Sequence, residues 1–217
     1  MGKLTGGILG PVKGKVGAIV GSVVGGQNIV KQMPASYNDK QSTQQLDQRT
    51  AFKNTLEWYQ ALISAVNVGF VEKQAKHSSY NAFMSDNVNN GVDKTGVDWK
   101  KLNVAKGSLV NPNITMATTS INNHLAFNWS DDSDGSNKLA TDKVVITVIE
   151  PVSKEVLVLP DTVTRAAGSH ILTIPATMVG KELQTYAFVV RADGKKASTS
   201  LRTGKGIAGS DLAGSVQ

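Results

Sequence analysis

Val16-Gly17-Ala18-Ile19-Val20-Gly21-Ser22-Val23-Val24-Gly25-Gly26-Gln27-Asn28-Ile29-Val30 is the stretch on which the reading of the fold turns. β-Branched residues dominate it, glycine interrupts it, and no Asp or Glu occurs before Asp39. Nine of the chain's 21 glycines precede residue 27. Each glycine inside a helix costs about 1 kcal/mol relative to alanine, so the segment is not a helix. It is also too short to build a core alone. It reads as a β-hairpin that needs a partner surface. Its strands are Val12–Val24 and Gln27–Met33, joined by Gly25-Gly26, a pair suited to a primed turn with positive φ at both central residues. Val16, Ile19, Val20, Val23, Val24, Ile29 and Val30 are the candidate assembly residues. An unpaired valine-rich edge is an association site unless something blunts it.

Downstream the period changes from 2 to 3.6. Phe52, Leu56, Tyr59, Ile63, Val66 and Phe70 recur at alternating spacings of 4 and 3, which predicts a helix over about 43–70 with these six as its packing face. Ser42, with Gln45 three residues on, has the form of a capping box. Tyr80, Phe83, Met84 and Val88 predict a shorter helix over Ser79–Asn89. Residues 89–113 are turn-rich, and a domain boundary is expected near 110.

From 112 onward the pattern is all β. Ile114–Thr118, His124–Trp129, Val144–Ile149, Glu155–Leu159, His170–Ile174 and Thr185–Arg191 are short apolar or alternating runs. Asp131–Gly135, Pro151, Pro160, Gly168, Pro175, Gly180 and Asp193-Gly194 separate them. Such spacing suggests a β-sandwich. The expected fold class is an α+β N-terminal part, a β-hairpin plus two helices over 1–110, then an all-β sandwich over 111–203. Residues 204–217 read as a flexible tail.

The chain has no cysteine, which excludes disulfides, thiolate catalysis and cysteine-ligated zinc. Its net charge is +6. Residues 1–111 carry 13 Lys and Arg against 7 Asp and Glu, whereas residues 112–217 carry 10 against 10. The basic half reads as a solvated basic face or as one that meets an anionic neighbour, whether nucleic acid, a membrane surface or an acidic protein, with Lys13, Lys15 and Lys31 as candidate anion contacts. No aromatic platform accompanies them, which argues against recognition of single strands. No run reaches the ~18–20 apolar residues of a spanning helix. Val16–Gly26 has the length of a signal-peptide core, but it lacks leucine and is broken by glycine.

Catalytic and metal-binding patterns are missing. His77, His124 and His170 are not at ligand spacing from one another, and no HExxH motif occurs. Ser130-Asp131-Asp132-Ser133-Asp134-Gly135-Ser136-Asn137 is the one carboxylate cluster. Gly135 fits position 6 of a calcium loop, but position 12 is Thr141 where a bidentate Glu is wanted. The cluster reads as a polar turn. Neither GxxxxGK[ST] nor GxGxxG is present. No catalytic, cofactor or metal site is expected.

Two resemblances add to this. Leu125-Ala126-Phe127-Asn128-Trp129 and Leu183-x-x-Tyr186-x-Phe188-Val189-Val190-x-Ala192 look like the second and sixth strands of a module. Over about 112–203 the chain thus resembles a fibronectin type III or immunoglobulin-like domain. That likeness implies a sandwich core containing Trp129 and Tyr186, the tyrosine bonding back to main chain as a tyrosine corner. Met1-Gly2-Lys3, Gly14-Lys15-Val16-Gly17, Gln45-Leu46-Asp47-Gln48-Arg49-Thr50-Ala51-Phe52, Asn81-Ala82-Phe83 and Asn87 carry the second. In these the whole chain is similar to an uncharacterised family of Bacteroidota and their phages, which implies a bacterial or phage structural protein and no assigned activity. The expectation is therefore a non-enzymatic structural subunit of a repetitive assembly, foremost a virion component (capsid, decoration or tail). A bacterial surface filament or adhesion subunit, or a basic nucleic-acid-associated protein, are the alternatives. Partners would be copies of itself or other virion or filament subunits, and the location a virion or cell surface.

Overall fold

The computed structural model describes residues 2–4, 13–33, 36, 39–73, 77–118 and 123–207, giving only the backbone at 2–4, 118 and 160–162. The chain forms two compact units, Met1–Ser42 and Thr43–Gln217. The boundary expected near 110 lies inside the second.

The first unit is a four-stranded antiparallel sheet. Its strands are β1 (Gly2–Leu4), β2 (Gly14–Val16), β3 (Ile19–Val24) and β4 (Gln27–Gln32), in spatial order β1-β4-β3-β2. The Gly25-Gly26 turn forms as the sequence suggests, with φ of 57° and 81°, and Val24 pairs with Gln27 across it. The single first strand expected over Val12–Val24 is instead two. Gly17, at φ 59°, turns the chain back so that β2 and β3 pair with each other. The N-terminal lead supplies β1 against β4; residues 5–12 lie outside the described residues.

In the second unit α1 (Thr43–Gly69) and α2 (Ser79–Asn87) are the two expected helices. The Ser78 hydroxyl caps α2, accepting from the Asn81 N–H. Seven strands follow: β5 (Thr115–Thr118), β6 (His124–Asn128), β7 (Lys143–Glu150), β8 (Glu155–Thr164), β9 (Ser169–Thr173), β10 (Glu182–Val190) and β11 (Leu201–Ile207). They make two antiparallel sheets, β5-β6-β9 and β11-β10-β7-β8. β11 takes in residues 204–207, so the tail expected from 204 starts later; residues 208–217 lie outside the described residues.

Alternation along β10 builds two cores. Leu183, Ala187 and Val189 meet Val144, Ile146, Leu125, Phe127 and Trp129 between the sheets. Tyr186, Phe188 and Val190 point the other way, toward Trp58, Leu62, Val66, Phe83 and Leu102. The unit is thus a helical layer on a four-stranded sheet on a three-stranded sheet. Gly69 ends α1 where a Cβ would sit 2.5 Å from the Cβ of Ala105. Only glycine allows the 104–105 segment to lie that close.

Two expected packing assignments differ in the structure. On α1 the buried face is Ala51, Thr55, Trp58, Leu62, Ala65, Val66 and Gly69. Of the expected face, Val66 and Phe70 are buried and Leu56 and Tyr59 half-buried, but Phe52 and Ile63 are 45% and 44% exposed. The buried stripe, which takes in the small Ala51, Thr55, Ala65 and Gly69 beside Trp58 and Leu62, is thus rotated about one residue from the bulky one. Trp129 is in the sandwich core, its indole N–H donating to the Arg165 carbonyl at 2.8 Å. Tyr186 is on the opposite face of β10. Its hydroxyl donates to the Trp99 carbonyl at 2.6 Å, before the sandwich begins, and so is not a tyrosine corner within it.

No helix among the described residues is long and apolar enough to cross a membrane.

Candidate functional site

The register of the N-terminal sheet sorts its side chains onto two faces, because directly paired residues point the same way. Val16, Ile19, Val23 and Val30 share one face; Lys15, Val20, Val24, Ile29 and Lys31 share the other. Only Gly21 is buried among the described residues of this unit. Val16 is 55% exposed and Val24 60%, with Ile19 and Val23 also exposed. Among the described residues, both clusters of buried apolar side chains are made from Thr43–Gln217. The seven apolar residues singled out in the sequence are thus brought together in one sheet, with no buried apolar side chain among its described residues.

The lysines fall into a pattern that sequence spacing does not show. Lys15 pairs with Val20, and Val20 with Lys31, so the two ammonium groups flank a valine in one cross-strand row. Strand spacing of about 5 Å puts their Cα atoms about 10 Å apart. Lys13, like them, is exposed.

The carboxylates of the 130–137 turn are engaged within the fold. Asp134 accepts from the N–H groups of Lys138 and Ser136, both at 2.9 Å, and from the Ser136 hydroxyl. These bonds hold its pKa at about 2, against an ordinary 3.8. Asp131 accepts from the Ser133 N–H. Partial burial alone would raise the Asp132 pKa, but Arg165 and Lys138 outweigh it and lower the value. Arg165 itself is wholly buried, bonded to Asp132 and to the Val110 carbonyl and 3.6 Å from buried Asp142. Arg191 approaches Asp142 at 3.4 Å. Asp132 through Arg165 ties the turn to the sandwich, while Asp131 and Asp134 are bonded within the turn itself. Among the described residues no three His, Asp or Glu side chains are grouped to hold a metal ion. His77 is exposed; His124 opens β6 and His170 lies on β9.

A polar cleft of about 560 Å³ lies between the loop of residues 93–100 and the Glu182 end of β10 with β11. Sequence reasoning missed it, because its walls come from segments about 90 residues apart and carry no motif.

The chain belongs to the family described as a family of unknown function (DUF6266), which matches residues 11–204. No curated protein and no solved structure matches it.

Proposed function

We propose that this member of the DUF6266 family is a non-enzymatic structural subunit that self-associates through its N-terminal sheet. The observation that carries the reading is the exposure of Val16, Ile19, Val23 and Val24 in a sheet whose described residues bury no apolar side chain. A small sheet gains stability in water by burying an apolar face, and the described side chains of this one bury none. A second copy of the chain supplies the missing surface, by sheet packing or by strand addition at a sheet edge. The strand order of the C-terminal part, 1-2-5 in one sheet and 7-6-3-4 in the other, supports reading it as an immunoglobulin-like module displayed by that assembly. A virion component is the form of assembly put first, and a surface filament or adhesion subunit the next.

Light scattering with negative-stain microscopy tests this. The full chain is expected to form concentration-dependent particles or fibres, and Ile19→Glu with Val23→Glu to leave monomers. Monomers from the unaltered chain at high concentration would sink the reading.

The Lys15–Val20–Lys31 row favours a second reading, in which the sheet lies against a nucleic-acid backbone. Binding to duplex DNA would then fall steeply with salt and drop when Lys13, Lys15 and Lys31 are neutralised. Absence of binding at about 50 mM salt would eliminate it.

A further inference from the structure

We infer that the cleft between residues 93–100 and the β10–β11 end is a binding site for a neutral carbohydrate. The inference does not depend on self-association.

The wall of the cleft is fixed before any ligand arrives. Asp93 folds the loop, its carboxylate accepting from the Thr95 N–H at 2.7 Å, the Thr95 hydroxyl at 2.6 Å and the Gly96 N–H at 3.2 Å. Gly96 has φ 139°, where L side chains are rarely found. Asn54 of α1 donates to the Asp93 carbonyl at 2.9 Å. At the other end the buried Tyr186 hydroxyl holds the Trp99 carbonyl, and the Trp99 ring stands edge-on to Trp58, centroids 5.2 Å apart. A loop pinned at both ends loses little freedom on binding, and that raises affinity.

The floor is a ladder of alternating donors and acceptors. Lys205 lies 3.0 Å from Glu182. Glu182 accepts from the Gln184 amide at 3.2 Å. The Gln184 carbonyl in turn accepts from Arg202 Nε at 3.1 Å and Nη2 at 2.8 Å. Gln184 is 1% exposed yet lines the cleft, a buried amide held in place at its floor.

Three features select the ligand class. Lys100, Arg202 and Lys205 are matched by Asp93, Asp98 and Glu182, so the cleft carries no formal excess of either sign. That disfavours a phosphate, a polyanion or a polycation. Donors and acceptors alternate at side-chain spacing, which suits hydroxyl groups because each one both donates and accepts. Trp99, half-buried, is among the lining residues, and an aromatic ring suits the C–H face of a sugar. The few polar groups placed in a ligand site fix the ligand's orientation and specificity.

The test is a titration of the ¹⁵N-labelled full chain with neutral hexose and N-acetylhexosamine oligosaccharides. Inorganic phosphate, hexaglutamate and hexalysine serve as charged probes. Saturable shifts are expected for the neutral sugars, confined to residues 93–100 and to the neighbouring parts of β10 and β11. Glu182→Gln and Lys205→Gln remove one member each of an exposed ion pair, which contributes little to folding. Each is expected to weaken sugar binding roughly tenfold, the cost of one charge-assisted bond. Lys195→Gln, outside the cleft, should leave binding unchanged. No saturable binding across the neutral panel overturns the inference. So does preference for a charged probe, or sugar binding that the two cleft variants leave intact.

Discussion

At the scale of single residues, hydrogen-bonded carboxylates set how the fold responds to acid. Glu150 ends β7 at 2% exposure. Its carboxylate accepts from the Ser153 hydroxyl and from the N–H groups of Val152 at 2.8 Å and Ser153 at 2.6 Å, with the Lys181 ammonium 3.7 Å away. Led by the Ser153 hydroxyl, these partners outweigh burial and hold its pKa at about 2, against an ordinary 4.5. A pKa depressed by folding means the folded state binds its proton later than the unfolded chain does. The stabilisation is therefore complete above the ordinary value and is lost as pH falls toward 2. Asp134, also held at about 2, acts with the same sign. Replacing Glu150 by Gln should flatten the fall of the urea midpoint between pH 4.5 and 2. Urea titrations across that window would show it, and an unaltered slope would mean the carboxylate is not held as described. Sequence reading had no access to this residue. Glu150 stands at the end of an apolar run, and only the hairpin that brings Ser153 and Lys181 around it gives it a role.

At the scale of elements, the helix is where periodicity proved both right and misleading. Spacings of 3 and 4 placed α1 over almost the span it occupies. They chose the wrong centre for the buried face, because the pattern counts bulk whereas close packing selects small side chains. Ala51, Ala65 and Gly69 lie in the contact, and Thr55 joins them by donating its hydroxyl to the Ala51 carbonyl at 2.7 Å. The neighbours Leu62 and Ile63 test the register directly. Leu62 is wholly buried and Ile63 is 44% exposed. Leu62→Ala should cost about 2–5 kcal/mol in unfolding free energy, the range for a buried leucine. Ile63→Ala should stay below about 1 kcal/mol, as for a surface site. The bulky stripe read from the sequence puts Ile63 in the contact. Equilibrium denaturation of the two variants decides between the registers, and equal losses would refute the buried face described above. β10 posed the same difficulty in another form. It is buried on both faces, so its apolar run gives no alternation from which to place Tyr186.

At the scale of the whole molecule, the division of the chain was the least legible feature. A turn-rich stretch near 110 looked like a boundary, yet the helices before it and the four-stranded sheet after it share one core through Trp58, Leu62, Tyr186 and Phe188. Joint burial by residues over 100 positions apart leaves no mark on local composition. The division that does exist lies between Ser42 and Thr43, inside the stretch the sequence reading kept as one N-terminal part. It has a dynamic consequence. Amide protection follows buried apolar contact, and β3 and β4 have almost none, whereas β7 and β10 are buried nearly throughout. In dilute monomer the amides of β3 and β4 should exchange faster than those of β7 and β10 by roughly a hundredfold or more. Self-association through the sheet would bury those strands and slow their exchange, while β7 and β10, already protected, would not change. Hydrogen exchange over a dilution series therefore separates the two accounts of this surface. Protection of β3 and β4 that rises with protein concentration means a second copy covers the sheet. Fast exchange at every concentration, restored to slow exchange by added DNA, moves the partner to nucleic acid and the Lys15–Lys31 row.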